Sequence, residues 1–159
     1  IQEYLDFARG EGREEAIRVE LGDLLEEVVA DYQRLGSAVT FVSSPDVEAD
    51  IRVSAFRRVL HNLIDNALRY GKRCEVVLKM MQSLNSAYAE ITIDDDGPGI
   101  PAQQREEVFK PFTRLDPSRN VNKGGVGLGL TIARDVVLAH GGSIALEESP
   151  LGGLRYRRV

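Results

Sequence analysis

Residues 91–100 read ITIDDDGPGI, a short apolar run that ends in three carboxylates and two closely spaced glycines. Ile91 and Ile93 alternate with polar residues, which predicts a half-buried β-strand. Gly97 and Gly99 predict a turn in which the backbone approaches a neighbour more closely than a β-carbon would allow. On this stretch alone two interpretations stay open: an ordinary turn with solvated acids, or a carboxylate held in place to accept a hydrogen bond from a ligand.

The composition is that of a globular domain, and it argues against several classes of function. The 159 residues are 43% hydrophobic and 28% charged, with a net charge of −5, so nucleic acid is not the expected partner. No apolar run approaches the roughly 18 residues that a membrane span needs. Cys74 is the only cysteine, and His61 and His140 are the only histidines. Neither a disulfide framework nor a zinc site is therefore expected.

The hydrophobic periodicity predicts an α+β fold in two layers, an α/β sandwich. We expect a mixed, largely antiparallel sheet of about five strands packed on about three helices. The apolar alternation at residues 74–80 is followed by a polar turn and by the strand of the opening motif, so these two strands are predicted to form an antiparallel hairpin. A long segment without periodicity, residues 110–125, is predicted to be a functional loop. Further strands are predicted at residues 17–21, 39–42, 143–148 and 153–159.

Helical spacing recurs between these strands. The longest predicted helix runs from Ser54, which can cap it, to Tyr70. Residues 1–9 also have helical spacing but no cap before them, so we expect the end of a helix that begins earlier. A linker is predicted at residues 10–15. Further helices are predicted at residues 24–32, 101–108 and 128–139.

Two asparagines on the longest predicted helix are candidates for a binding site. Asn62 and Asn66 are four residues apart, so their carboxamides project from one face, one turn above the other. A carboxamide oxygen suits Mg²⁺, which proteins often hold with one side chain together with substrate phosphates. Arg69 and Tyr70 follow within a turn and offer a cation and an aromatic ring. The alternatives are a polar helix edge or buried structural amides.

A glycine-rich stretch, GGVGLGL at residues 124–130, leads into a predicted helix. Exposed amides at a helix start form a natural phosphate site, and Arg114, Arg119 and Lys123 lie upstream. The glycine spacing does not fit the G-x-G-x-x-G fingerprint, and the chain contains no G-x-x-x-x-G-K-[ST] motif. A different nucleotide-binding architecture, or none, is indicated.

The order of these motifs resembles that of a known protein family. NLIDNALRY, DDGPGI, FKPF, GVGLGL and a late pair of glycines follow one another along the chain. This order closely resembles the catalytic ATP-binding domain of sensor histidine kinases, over about residues 19–159. That family shares the Bergerat fold with gyrase-type ATPases, mismatch-repair ATPases and a heat-shock chaperone. The resemblance implies that residues 16–159 form the catalytic ATP-binding domain with a long ATP lid, and that residues 1–15 are the end of the phosphoacceptor and dimerisation helix plus a linker.

The resemblance implies a role for each matched position. Asp95 would accept a hydrogen bond from the adenine amino group. Asn66 would bind Mg²⁺, with Asn62 as its partner one turn earlier. Arg69 and Lys123 would contact the phosphates and, with the two asparagines, form the catalytic set. The other nucleotide-binding positions would be Tyr70, Gly97, Gly99, Ile100, Phe109, Phe112, Gly125, Val126, Gly127, Leu128, Gly129 and Leu130.

The residue at position 62 bears on the reaction. Gyrase-like members of the superfamily have a glutamate there, which activates water, whereas the carboxamide of Asn62 has no useful basicity. The resemblance therefore implies poor hydrolysis and presentation of the γ-phosphoryl group of ATP to an external nucleophile. The implied function is that of a protein histidine kinase in two-component signal transduction. It would transfer phosphate to a histidine on a neighbouring domain and from there to a response-regulator aspartate.

The acceptor histidine is not expected in this chain, because neither His61 nor His140 has the family's flanking residues. His61 is predicted to lie on a helix surface or at an interface, and His140 to lie at the end of its helix, where a cation is favoured. The chain alone is thus not expected to autophosphorylate. Two alternatives stay open: a serine protein kinase of the anti-sigma type, and a regulatory module that binds ATP without turnover.

The resemblance also implies partners and a location. The partners would be the protein's own dimerisation and phosphoacceptor domain and a response regulator, with no nucleic acid. The fragment would be monomeric and its parent homodimeric. The domain would be cytoplasmic, in a parent that is an integral inner-membrane sensor kinase.

Overall fold

A computed structural model describes residues 14–82, 84–110, 129–152 and 154–158, the last of these ranges by its backbone alone. Its elements in chain order are β1 (Ile17–Glu20), α1 (Leu21–Arg34), β2 (Val39–Ser43), β3 (Glu48–Ile51), α2 (Val53–Tyr70), β4 (Cys74–Gln82), β5 (Ala87–Asp95), two 3₁₀ turns (Ala102–Gln104 and Glu107–Phe109), α3 (Gly129–Ala139), β6 (Ile144–Glu148) and β7 (Leu154–Arg158).

The main sheet has five strands in the order β2-β4-β5-β7-β6. Strand β2 runs parallel to β4, and the other neighbours are antiparallel, as the mixed pattern predicted. The predicted hairpin is confirmed: in the β4–β5 register Cys74 lies opposite Asp95, and Leu78 lies opposite Ile91.

A second sheet pairs β1 with β3 in antiparallel register, with Ile17 opposite Ile51. Strand β3 was not predicted, because its four residues, EADI, give the alternation pattern only two apolar positions. The first strand also ends earlier than predicted. Leu21 begins α1, whose first amides are bound by the side chain of Glu20.

One hydrophobic core joins the three described helices to the sheet. The buried faces of α1, α2 and α3 pack in a single cluster with the inward-facing residues of β4 and β5, among them Val76, Leu78, Ile91 and Ile93. Each fully buried aliphatic side chain of this kind stabilises the fold by about 1.5–3 kcal/mol. The predicted two-layer α+β class is therefore confirmed. Of the helices in the described ranges, none is both long and apolar enough to cross a membrane.

The start of α2 differs from the prediction. Ser54 does not cap the helix; it lies inside the first turn, after Arg52 at the N-cap position. The carboxylate of Glu14 provides the cap, accepting hydrogen bonds from the amides of Ser54 at 2.9 Å and Ala55 at 3.1 Å. An acceptor 40 residues away cannot be recognised from local cap patterns, which consider only neighbouring residues.

The region that follows residues 91–100 also differs from the prediction. The predicted helix at residues 101–108 is wrong: Pro101 precedes the first of the two short 3₁₀ turns. The segment is too short and too poor in apolar spacing to sustain α-helical hydrogen bonds.

The two histidines connect helices. His61 lies at the interface of α1 and α2, beside Tyr32, as predicted. His140 follows α3 directly, as predicted, but it is not a free cation at the helix end. Its Nδ1 donates to the carbonyl of Val136 at 2.7 Å, and its Nε2 accepts from the amide of Arg52 at 3.0 Å. A ring that donates at one nitrogen and accepts at the other is neutral, so His140 links α3 to the start of α2.

Candidate functional site

The site is built on α2, an 18-residue helix whose apolar stripe faces the core. Asn62 and Asn66 both lie half-buried at the edge of that stripe. The Nδ2 of Asn62 donates to the carbonyl oxygen of Gly129 at 3.1 Å. This hydrogen bond joins the first residue of α3 to α2, which is called the asparagine helix below. The two residues are 67 positions apart in sequence.

Sheet geometry distinguishes the three consecutive carboxylates. Side chains alternate between the two faces of a strand, so Asp95 shares the core-facing side of β5 with Ile91 and Ile93. Its side chain is 3% exposed, and its Oδ1 accepts from the amide of Gly97 at 2.9 Å. Asp94 is also buried, but by the same alternation it lies on the opposite face of the sheet. Only Asp95 thus points toward the helical layer.

Asp96 holds the loop after β5 in place through hydrogen bonds. Its Oδ1 accepts hydrogen bonds from the amides of Lys72 at 2.7 Å and Arg73 at 3.1 Å. These backbone N–H groups, with a smaller effect of the Arg73 charge, hold the pKa of Asp96 below its ordinary value. The ionised carboxylate therefore ties the loop after β5 to the segment that leads from α2 into β4.

Two glycines make this packing possible. A β-carbon at Gly97 would lie 2.6 Å from the carbonyl oxygen of Tyr70, and one at Gly71 would lie 2.8 Å from Oδ1 of Asp96. Gly99 has a φ of +73°, a conformation that other residues rarely adopt. In the structure the missing side chain of Gly97 makes room for the end of α2.

A buried thiol lies beside Asp95. Cys74, its partner across the hairpin, is completely buried. Burial, and after it the negative charges of Asp95 and Asp94, raise the pKa of Cys74 to about 12. The thiol is neutral at physiological pH and packs as a small hydrophobe.

Phe109 is buried where the chain approaches α3. Its carbonyl accepts from the hydroxyl of Thr131 at 2.7 Å, and the guanidinium of Arg134 lies 4.7 Å from the centre of its ring. Arg134 also pairs with Glu106 at 2.6 Å. Sequence reasoning missed Thr131 and Arg134. Their spacing of three on one helix face was the available signal, although it does not identify the partner.

The remaining predicted residues fall into two groups. Arg69 lies half-buried in the last turn of α2, and Tyr70, at its end, is 38% exposed and touches the Asp95 loop through its backbone. Ile100 and Leu130 pack against the core from its edge. The other predicted residues lie outside the described ranges: Phe112, Lys123, Gly125, Val126, Gly127 and Leu128.

Comparison with protein families gives an independent result. Residues 51–158, more than half of the chain, match the family of histidine kinase-, DNA gyrase B- and HSP90-like ATPases. The matched range begins at the end of β3 and includes both asparagines, the Asp95 loop and α3.

Full-length relatives are sensor proteins. The chain is 37% identical to the sensor protein RstB of Escherichia coli K12 over 164 residues, which cover 98% of this chain and 37% of RstB. It is 34% identical to the sensor histidine kinase CpxA of the same strain over 135 residues, covering 84% of this chain and 29% of CpxA. The chain thus spans about a third of the length of these relatives.

Solved structures show the same fold. The mycobacterial sensor histidine kinase MprB superposes with a TM-score of 0.72 at 27% identity, covering 90% of this chain and 95% of that one. The ATP-binding domain of PrrB from Mycobacterium tuberculosis gives a TM-score of 0.72 at 29% identity, covering 89% and 93%. The chain therefore belongs to the family of histidine kinase-, DNA gyrase B- and HSP90-like ATPases, among the domains found in sensor histidine kinases.

Proposed function

We propose that this chain binds ATP and donates its γ-phosphoryl group to a histidine on a neighbouring domain, for onward transfer to an aspartate of a response regulator. The observation that carries the proposal is the placement of Asp95. A carboxylate that is 3% exposed and faces the helical layer is a pre-positioned acceptor for an exocyclic amine. The similarity to the ATP-binding domain of PrrB supports adenine as the group that supplies this amine.

Asn62 supports transfer over hydrolysis. Its amide donates to Gly129, and a carboxamide cannot remove a proton from water. The domain then contributes chiefly by positioning ATP, and the basicity must come from the accepting domain. We therefore expect slow ATP hydrolysis by this chain.

Asn66 fits the role of a Mg²⁺ ligand. Its side chain is half-buried on the same face of α2 as Asn62, and one amide oxygen is a sufficient protein ligand for an ion otherwise held by phosphate oxygens and water. The ion would neutralise charge on the triphosphate. Arg69, in the last turn of the same helix, and Lys123 would add positive charge there.

The other site residues are proposed to enclose the nucleotide. Tyr70, Ile100, Phe109 and Phe112 would supply apolar and aromatic surface around it. The backbone of the two glycine-containing segments would pass close to the nucleotide at Gly97, Gly99, Gly125, Val126, Gly127, Leu128, Gly129 and Leu130.

The proposal extends to the protein of which this domain is part. Residues 16–159 would form the catalytic domain, and residues 1–15 would be the end of the phosphoacceptor helix and a linker. The hydrogen bonds that Glu14 accepts from the amides at the start of α2 support contact between that linker and the domain. The parent would be a homodimeric inner-membrane sensor whose catalytic domain is cytoplasmic, and the isolated domain would be monomeric.

Phosphate transfer in the parent protein tests the function. The parent, with its phosphoacceptor helices, is incubated with Mg²⁺ and ATP labelled at the γ-phosphate. A label that is labile in acid and stable in base identifies phosphohistidine and supports the proposal. An acid-stable phosphoserine would instead identify the anti-sigma type of kinase. Binding of ATP without any transfer would identify a regulatory module. Asn66→Ala, which should abolish transfer, is the control for the site.

A further inference from the structure

The hydroxyl of Tyr32 joins α1 to α2 through polar atoms of two residues, His61 and Asp65, and also lies 3.4 Å from the carbonyl oxygen of His61. It donates to Oδ1 of Asp65 at 2.6 Å and lies 3.0 Å from Nδ1 of His61. A hydroxyl has one proton, and a carboxylate can only accept. His61 must therefore donate from Nδ1, and Tyr32 accepts that proton while giving its own to Asp65.

These two partners hold a defined place on the helix. His61 and Asp65 are four residues apart and directly precede Asn62 and Asn66 in sequence. Successive residues of an α-helix are rotated by about 100°, so the pair bound by Tyr32 and the asparagine pair lie on adjoining faces over the same turn. A single atom that holds both ends of this turn fixes the rotation of the helix about its axis.

The other contacts across this interface are less directional. The apolar side chains of α1 and α2 belong to the common core, and apolar packing depends on area more than on orientation. An ion pair between Arg57 and Glu27, at 3.3 Å, is exposed on the Glu27 side and is weak for that reason. The bond between Tyr32 and the exposed Asp65 is shorter, at 2.6 Å, and its donor, Tyr32, is only 8% exposed.

The protonation of Tyr32 keeps this contact intact. Burial, and after it the hydrogen bond and charge of Asp65, raise the pKa of Tyr32 above its ordinary value. The phenol thus retains the proton that it donates throughout the physiological range.

We propose that Tyr32 is a positioning residue that orients Asn62 and Asn66 toward bound Mg-ATP by fixing the rotation of α2. The inference rests on the proposed role of Asn66 as a Mg²⁺ ligand. Removing the hydroxyl releases both His61 and Asp65, so the turn that carries the asparagines loses a directional contact with α1, while Asn62 keeps its hydrogen bond to Gly129. The adenine contact at Asp95 lies on the sheet and does not depend on this rotation.

The test compares nucleotide affinity with and without Mg²⁺. Titration calorimetry of the folded Tyr32→Phe variant should show an affinity for ATP in excess Mg²⁺ lowered by about tenfold, as expected for a displaced positioning group. The affinity for ATP in EDTA should change by less than about twofold. Equal changes under both conditions, or no change under either, would overturn the proposal, because a merely structural role has no preference for the metal complex.

Further variants separate the possible causes. Tyr88→Phe is the matched control, since within the described residues the hydroxyl of Tyr88 makes no hydrogen bond, and it should match the wild type. Asp65→Asn keeps an acceptor for Tyr32. Its affinity for ATP in excess Mg²⁺ should therefore fall less than that of Asp65→Ala. Because Tyr32→Phe already removes the bond to Asp65, Tyr32→Phe combined with Asp65→Ala should be no worse than Tyr32→Phe alone. Additive losses would contradict the proposal.

The role of Asn66 is checked in the same assay. One outcome is that Asn66→Ala lowers the affinity for ATP only in the presence of Mg²⁺, while Tyr32→Phe leaves that affinity unchanged. In that case the positioning role of Tyr32 is wrong and Asn66 stands as the proposed metal ligand. If Asn66→Ala has no Mg²⁺-dependent effect, the assignment of the metal ligand itself is wrong.

Discussion

The carbonyl oxygen of Tyr70 lies where a side chain at Gly97 would have to be, 2.6 Å from the position of its β-carbon. The end of the asparagine helix and the loop after β5 are therefore in direct backbone contact. This contact places Asp95, from the sheet, beside the helix that carries Asn62 and Asn66.

Gly97→Ala should disturb this junction. The new methyl group meets backbone atoms, which cannot move aside as a flexible side chain would, so we expect a loss of about 1–3 kcal/mol in the free energy of unfolding. Urea denaturation measures it. Gly129→Ala is the control for stability, because among the described residues the atom nearest to a β-carbon there would be in Asn62, 3.8 Å away. Equal stabilities of the two variants would contradict the account of the junction.

Glu14→Ala should weaken the start of α2. The variant loses the acceptor for the amides of Ser54 and Ala55, and loss of a helix cap costs about 0.5–2 kcal/mol. Hydrogen exchange of these two amides should become faster, whereas exchange in the β4–β5 hairpin should not. Glu15→Ala is the matched control, since Glu15 is exposed and makes no hydrogen bond or ion pair within the described residues. Unchanged exchange at Ser54 and Ala55 would show that Glu14 is not the cap.

Asn62→Asp should destabilise the contact between α2 and α3. The carboxylate cannot donate to the carbonyl of Gly129, so two oxygen acceptors face each other, at a cost of about 1–3 kcal/mol. Thermal or urea unfolding measures the loss. A variant as stable as the wild type would mean that the hydrogen bond to Gly129 contributes nothing.

Stability should fall at alkaline pH because of Cys74. Well below pH 9 the thiol is protonated in both the folded and the unfolded state, so it adds no pH dependence there. Between its ordinary pKa of 9.0 and the folded value of about 12, only the unfolded chain loses the proton. The free energy of unfolding therefore decreases as pH rises, by up to about 1.4 kcal/mol per pH unit from this group.

Cys74→Ala should remove that part of the slope. Denaturation of both proteins at pH 7, 9 and 10.5 measures the difference, and equal slopes would contradict the burial of a neutral thiol. Tyr32, whose pKa is raised chiefly by burial, keeps its proton in the folded state of both proteins up to pH 10.5, so its contribution cancels in the comparison.

The structural features that depend on a local pattern of residues were predictable from the sequence. The alternation of Ile91 and Ile93 was sufficient to predict strand β5, and the hairpin followed from two such runs joined by a polar turn. A strand of four residues with two apolar positions, β3, was too short to detect.

Contacts between distant residues were not predictable. The capping of α2 by Glu14, the link from His140 to Arg52, and the bond from Asn62 to Gly129 join residues 40, 88 and 67 positions apart. Each uses a polar side chain whose partner is a backbone group. Backbone groups are the same at every position, so the sequence contains no signal for the pairing.

The affinity of the chain for ATP and GTP, with and without Asp95→Asn, tests the central claim most directly. A carboxylate accepts from the amino group of adenine, whereas guanine presents a carbonyl oxygen at the same place. Titration calorimetry should show that the wild type binds ATP at least roughly tenfold more tightly than GTP. Asp95→Asn should lose ATP affinity and narrow or reverse this preference, since its amide can donate to the guanine oxygen. An unchanged ATP affinity and an unchanged preference in the variant would show that Asp95 does not bind the base.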